Sequence, residues 1–462
     1  MQNSYKTIKQ AYQASPFPDF NERKGWLQQL KKLIIENEEM IIEAIDKDFT
    51  GRATFETQIA EIYPSVKAIK HAENNLSTWM KPEKRKVSIW FQPSKAKVIY
   101  QPLGVAGLVV PWNYPLYMSV APLVCALAAG NRSMLKLSEF TPNFSELFAT
   151  LVEKYFSKEV ITVINGGPEV GAEFTALPFD HILFTGSNRV GKMVMKAASE
   201  NLTPVTLELG GKSPTIIDEN YSIDDAAQKI MFGKLLNAGQ TCLAPDYVFL
   251  PKGKEQDFID ACKKAAQKYH PNWNGENYTA INSDKQFERQ EALLQDAIDK
   301  GGEIVYLNND AAEKTDGRKM SPALIIQSLE SMLIRKEEIF GPLLPIVTYQ
   351  NLDEVIEYVN NNPRPLALYF FSKNKANINK VLTHTISGGV TLNDVILHVS
   401  QETLPFGGVG NSGMGHYHGY DGFKTFSKAK SVFKQSALAG TRLMYPPYSK
   451  FAKFLYKIMR GS

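Results

Sequence analysis

From residue 105 onward the chain repeats one pattern: a short run of apolar and β-branched residues, then a stretch with helical spacing. Residues 105–110 (VAGLVV) lead into 115–129, and 133–136 lead into 142–155. In the same way 161–164 lead into 169–176, and 181–184 into 190–200. Strands alternating with helices of this length predict βαβ units and a parallel sheet with helices on both faces. Such sheets bind ligands beyond the carboxyl ends of their strands, so the loops after those runs are where chemistry is expected. A second α/β region is expected over 211–395, with helices at 224–236 and 254–269. Ahead of the series, residues 21–49 read as one helix, because Leu27, Leu30, Ile34, Ile41 and Ile45 fall on one stripe. Residues 95–101 alternate like a half-exposed strand or ribbon. Neither an internal repeat nor a low-complexity linker interrupts this organisation.

Composition narrows the class. A chain of 462 residues is too long for one core and implies two or three domains. With 44% hydrophobic and 22% charged residues it reads as globular, and a net charge of +4 argues against a nucleic-acid binder. The amino-terminal MQNSYKTIKQAYQ has no apolar core of the kind a secretory signal carries. Residues 98–131 contain no charged side chain and are long enough to span a bilayer, yet Pro102, Pro111, Pro115 and Pro122 break any single helix. A buried strand, a turn and a buried helix explain that stretch. Three widely spaced cysteines, Cys125, Cys242 and Cys262, form neither a disulfide framework nor a metal-ligand pair. They fit a reducing, cytoplasmic setting in which one thiol does chemistry.

Cys242 ends the run NAGQTC, a glycine-containing turn after an amphipathic helix, where a thiol can face a pocket. Cys125 lies in an apolar run and reads as core; Cys262, on a lysine-rich helix, reads as incidental. Glu208 sits in the apolar run VTLEL ahead of Gly210-Gly211. A carboxylate there is either an edge-strand group facing water or a buried one whose raised pKa suits a general base. Lys212-Ser213 is not a phosphate loop, since that pattern needs glycine at 206, where Thr206 stands. Asn113, in PWNYP directly after the 105–110 strand, is a turn asparagine or an amide donor to a developing oxyanion. In FTGSNRVG, Gly186, Ser187 and Gly191 place backbone N–H groups at a helix start, a setting that favours a pyrophosphate.

The strings PWNYP, KLSEFTP, FTGSNRVG, LELGGKSP, GQTC and EEIFGP occur in this order over about 230 residues. Together they resemble the aldehyde dehydrogenase superfamily. CLAPDYV after Cys242 and LPFGGVGNSGMGHYHGYDGF near the end resemble its class 3 and fatty aldehyde dehydrogenase branch. The resemblance implies Cys242 as nucleophile, Glu208 as general base and Asn113 as oxyanion donor. It implies cofactor contacts from Trp112, Lys136, Glu139, Gly186, Ser187, Gly191, Leu209, Glu338 and Phe340, with NAD or NADP as the cofactor and no metal. The implied fold is α/β, with a Rossmann-like cofactor domain (1–80 and 102–210), an α/β catalytic domain (211–395) and a bridging ribbon (81–101 and 396–436). The ribbon would join a homodimer. The implied reaction turns an aldehyde, medium to long-chain aliphatic or aromatic, into its acid through a cysteine thioester. Tyr114, Tyr117 and Met118 would help line the entrance. An acylating enzyme, which hands its thioester to another acceptor, has no use for Glu208 as base; a non-catalytic nucleotide binder has no use for the three groups together.

The tail, residues 437–462, carries a separate signal. From Lys434 onward there are six basic residues and no acidic one. Ser449 is placed to cap a short helix, on which Phe451, Phe454, Leu455 and Ile458 share one face. A basic amphipathic segment of this kind either packs on the protein itself or rests on an anionic membrane surface.

Overall fold

The computed structural model describes residues 1–307 and 317–461; Ser462, the end of the expected tail, lies outside them. The alternating pattern folds as expected. Five parallel strands, Val205–Leu209, His181–Gly186, Val105–Val109, Arg132–Lys136 and Ile161–Ile164, lie side by side in that order. The short strand Gly413–Met414 adds an antiparallel edge beside Val205–Leu209. The chain starts at Val105–Val109, builds outward on one side, then returns to build on the other. The order therefore reverses next to that first strand, and the carboxyl ends of Val105–Val109 and His181–Gly186 frame a crevice.

A second sheet of seven strands follows, in the order Glu303–Tyr306, Ala323–Ile326, Leu343–Tyr349, Tyr247–Pro251, Pro214–Ile217, Ala367–Phe371 and Gly389–Leu392. All its pairings are parallel except the one that holds Glu303–Tyr306. A three-stranded antiparallel ribbon joins Glu83–Arg85, Lys95–Pro102 and Ser427–Lys434, bringing the 95–102 strand against a segment more than 300 residues later.

Helix Pro115–Ala129 shows why 98–131 lacks charge. Every residue of it except Met118 is buried, so it is a core helix and not a membrane span. Its amino end receives no side-chain cap of its own. Glu61 supplies one from elsewhere, its Oε2 accepting the N–H groups of Leu116 (2.7 Å) and Tyr117 (3.1 Å).

The single helix expected over 21–49 is two helices, Phe20–Glu36 and Glu38–Phe49. All five stripe residues are fully buried, so the apolar periodicity was read correctly across a break it cannot reveal. Asn37 makes the break: its Nδ2 donates back to Leu33 O (2.7 Å) and across to Tyr155 Oη (3.2 Å). The amino terminus is also structured. Helix Gln2–Ala14 buries Tyr5 and Ile8 and anchors Lys9 on Asp180.

Candidate active site

A single cavity of about 1330 Å3 runs across the crevice between the two large sheets. It is reached from the six-stranded sheet by the loops after Val105–Val109 and His181–Gly186, as the strand order requires. Of the twelve candidate residues, eleven line it: Trp112, Asn113, Lys136, Glu139, Gly186, Ser187, Glu208, Leu209, Cys242, Glu338 and Phe340. Gly191 sits one layer back. It is buried in the first turn of helix Asn188–Ser199, where a Cβ would press on Leu209 Cδ2 at 2.7 Å.

Cys242 is presented by an unusual turn. After helix Ile223–Leu235 the chain passes through left-handed conformations at Asn237 (φ 52), Ala238 (φ 50) and Gly239 (φ 77). At Gly239 a side chain would collide with the carbonyl of Gly341, so the close approach requires glycine. Asn113 and this turn are stitched together. Asn113 Nδ2 donates to Gln240 O (3.1 Å), leaving its second N–H for another acceptor, and Tyr114 Oη bonds Thr241 Oγ1 (2.6 Å). The carbonyl of Asn113 accepts from Asn237 Nδ2 (3.0 Å) and Arg52 Nη1 (3.1 Å). Arg52 in turn pairs with Glu61 at 2.8 Å, both side chains wholly buried.

Cys242 is half-buried on the cavity wall, whereas Cys125 and Cys262 are core. Cys262 is fully buried against the body of the protein, so its place on a lysine-rich helix is structural and not incidental. Burial, followed by the charges of Glu338 and Glu208, pushes the Cys242 thiol up to about 12. Glu208 faces inward and not to water: it is 3% exposed, and neither carboxylate oxygen has a formed hydrogen bond among the described residues. Burial holds its pKa well above the usual carboxylate range, the backbone N–H of Gly408 working against it. An unpartnered carboxyl costs stability and is retained where a neutral acid or poised base is useful.

The other end of the cavity has the form of a dinucleotide cradle. Ser187 caps helix Asn188–Ser199, accepting from Val190 N, and leaves the helix amino end open to the cavity. Lys136 Nζ donates to Leu137 O (2.7 Å) and reaches toward Glu139 at 3.5 Å. Glu338 accepts the N–H of Gly211 (3.1 Å), and a Cβ at Gly210 would strike its carboxylate. Burial and then Asp246 raise Glu338 to about 8. Trp112 and Phe340 meet edge to face at 5.4 Å. An open helix amino end, a lysine–glutamate pair and close glycine approaches at 191 and 210 fit a pyrophosphate and two riboses. Among the described residues no group of side chains is arranged to hold a metal.

A parallel sheet that reverses at this crevice, with a thiol at the far end of the cradle, defines a class: oxidoreductases that use a dinucleotide and a protein nucleophile. The chain belongs to the aldehyde dehydrogenase family, whose description matches residues 3–432. A probable coniferyl aldehyde dehydrogenase of Pseudomonas aeruginosa is 49% identical over 450 residues, 97% of this chain and 94% of the relative. Aldehyde dehydrogenase family 3 member B2 of mouse is 36% identical over 99% and 94% of the two chains, in line with the class 3 resemblance. Staphylococcus aureus AldH in a substrate-bound state superimposes with a TM-score of 0.94 at 37% identity, covering 99% of each chain. The NAD+ complex of a Bacillus cereus aldehyde dehydrogenase gives 0.84 at 28% identity, over 94% of this chain and 88% of that one.

Several side chains that hold this site carry no signal in the sequence. Arg52 and Glu61 are among them, because each bonds a group far away in the chain, while Asn237 and Gln240 stand in the NAGQTC run, which does not reveal what they bond. A salt bridge between Lys212 and Asp246 is equally hidden. The Lys212 ammonium also donates to Ile334 O (2.8 Å) and Glu337 O (2.9 Å), which fixes the segment carrying Glu338.

Proposed function

We propose that the chain oxidises an aldehyde to the carboxylic acid with Cys242 as nucleophile, Asn113 as oxyanion donor and Glu208 as hydrolytic base. The observation that carries this reading is the buried, unpartnered Glu208 carboxyl on the same cavity wall as the only half-buried thiol among the described residues. The thiol loses its proton to solvent, Sγ bonds to the aldehyde carbon, and the carbonyl π pair moves onto oxygen. The free N–H of Asn113 Nδ2 and the backbone N–H of Cys242 hold the resulting oxyanion, an interaction whose loss costs about 10²–10³ in rate. Bound NAD or NADP supplies the acceptor for the hydride that leaves the substrate carbon. Glu208 then takes a proton from water, the hydroxyl adds to the thioester carbon, and the C–S bond breaks to release the acid. Glu338, Lys136 and Glu139 hold riboses, while Gly186, Ser187, Gly191 and Leu209 shape the pyrophosphate turn beneath Trp112 and Phe340.

This reading extends to the whole molecule. The residues divide as a cofactor domain (1–80, 102–210), a catalytic domain (211–395) and a ribbon (81–101, 396–436), the antiparallel ribbon supporting the last. Its outer strand Ser427–Lys434 has an open edge with Phe433 half exposed, which supports a homodimer built there. A working Cys242 needs a free thiol, which supports the reducing cytoplasm. Aromatic and aliphatic walls support aromatic or medium to long-chain aldehydes. The exposed apolar stripe and basic residues of the tail support contact with an anionic membrane surface.

The test separates the two half-reactions. Cys242→Ala abolishes aldehyde oxidation and keeps cofactor binding. Glu208→Gln gives a first-turnover burst of reduced cofactor and then stalls. Steady turnover in Cys242→Ala, or an unimpaired steady state in Glu208→Gln, overturns the assignment.

A further inference from the structure

The wall of the same cavity includes the apolar and aromatic side chains of Tyr63, Tyr117, Met118, Phe232, Leu397 and Phe406. One acid interrupts this wall. Glu402, just after the turn Leu397–Ser400, is 7% exposed, and among the described residues its carboxylate has no hydrogen-bond or ion-pair partner. Lys67 lies on the same wall but donates its ammonium to Ser400 O (2.5 Å) and acts on Glu402 only through its charge. The void behind Glu402, about 10 Å3, is at the limit for a single water; it is lined by Ala68, Ala72, Trp79, Ala121, Val124 and Cys125, and by His418, whose Nδ1 is buried without a hydrogen-bond partner among the described residues. That void is too small for a substrate group, so a substrate can reach Glu402 only from the large cavity, which Glu402 also lines.

Glu402 also stands apart from the reacting end. Its charge acts on Tyr117 and Cys125, whereas the carboxylates that act on Cys242 are Glu338 and Glu208. Tyr114 is bonded next to the thiol, at Thr241. Tyr117, one turn further along helix Pro115–Ala129, is the ring beside Glu402, and its hydroxyl already meets His418 Nε2 at 3.4 Å. A polar group buried in an apolar wall is costly unless a ligand satisfies it.

We propose that Glu402 is a specificity-determining acceptor for a hydroxyl at the end of the substrate opposite the aldehyde, so that the site selects phenolic aryl aldehydes. This rests on Cys242 being the nucleophile of the same cavity. The aromatic walls accept the ring, and the phenol O–H donates to the Glu402 carboxylate. Burial raises the Glu402 carboxyl to about 7, so the comparison is made well above that pH, where it is a carboxylate. An ether in that place then offers no proton and leaves the acid unpaired, a mismatch that sites built around a substrate hydroxyl reject strongly.

The experiment compares 4-hydroxy-3-methoxycinnamaldehyde with its methyl ether, 3,4-dimethoxycinnamaldehyde, using the full chain with NAD and reading the acid formed. The expected kcat/KM ratio is about tenfold or more in favour of the phenol. Glu402→Leu brings the ratio to about one, and Glu402→Gln, which keeps an acceptor, lowers it by at least about twofold. A wild-type ratio near one overturns the proposal, as does an unchanged ratio in either variant. Should Glu402→Leu not fold, the wild-type ratio and the isosteric Glu402→Gln decide by the same criteria. Failure to oxidise any aldehyde would instead overturn the proposed function, and is thereby distinguishable.

Discussion

At the scale of single residues the site is defined by acids that burial makes reluctant to ionise. Glu208 and Glu338 are both raised by burial, and both act on the Cys242 thiol. The cofactor-free protein therefore keeps Cys242 protonated at neutral pH, and its alkylation by iodoacetamide should be slow and rise steeply with pH. Glu338→Gln removes one of the charges that oppose the thiolate. Alkylation at pH 8 should then be several times faster in the variant, about tenfold for each pH unit by which the thiol pKa falls. An unchanged rate would mean that Glu338 does not face the thiol. Glu208 has a second consequence, for stability. Its folded pKa lies above the unfolded value, so between the two the folded state binds the extra proton and stability falls as pH rises. Glu208→Gln cannot ionise and escapes that loss. Without cofactor, its melting temperature should match the wild type near pH 4, below the unfolded pKa, and exceed it at pH 8. A variant that melts lower at pH 8 would show that the carboxylate has a stabilising partner.

At the scale of elements, the buried Arg52–Glu61 pair ties the start of helix Pro115–Ala129 to the carbonyl of Asn113. Glu61 caps helix Pro115–Ala129, while Arg52 holds the carbonyl of Asn113 and lies over the rings of Phe49 (4.9 Å) and Tyr114 (5.0 Å). Arg52→Met leaves Glu61 buried and uncompensated, which should cost about 3–5 kcal/mol in unfolding free energy. The double variant Arg52→Met/Glu61→Gln removes the stranded charge and should recover part of the stability. It should still show a lower kcat with little change in KM, because the Asn113 carbonyl keeps only Asn237 of its two donors. If kcat recovers along with stability, the pair is structural only. The same elements show what was legible in the sequence. Strand and helix spacing from residue 105 onward is visible because each element buries a face, and helices Pro115–Ala129 and Pro142–Tyr155 begin at prolines that mark their starts. The break at Asn37 was not legible, since one buried stripe runs through both helices. Cys242, Glu208 and Asn113 stood out through residue type and motif. Arg52, Glu61 and Glu402 did not, because a buried charge is recognisable only once its distant partner, or its lack of one, is seen.

At the scale of the whole molecule, the carboxy-terminal segment is the part least accounted for by the two large sheets. Helix Lys450–Arg460 forms as its pattern predicted, with Ser449 accepting from Ala452 N and Gly461 closing it in a left-handed turn. The body of the chain does not cover its apolar face. Only Ala452 is buried, while Phe451 (52%), Phe454 (57%) and Ile458 (47%) remain exposed. Lys450, Lys453, Lys457 and Arg460 flank that face, so apolar burial and attraction to anionic headgroups would act together. No described helix is long and apolar enough to cross a membrane, so contact of this kind would be peripheral. Full-length protein should co-sediment with vesicles containing phosphatidylserine, and a truncation ending at Tyr445 should not. Raising the salt concentration should weaken the binding of the full chain, because charges close to the surface are screened. Equal sedimentation of the two forms would remove the membrane from the account. A truncation that instead turns a dimer into a monomer would assign the stripe to a second copy of the chain.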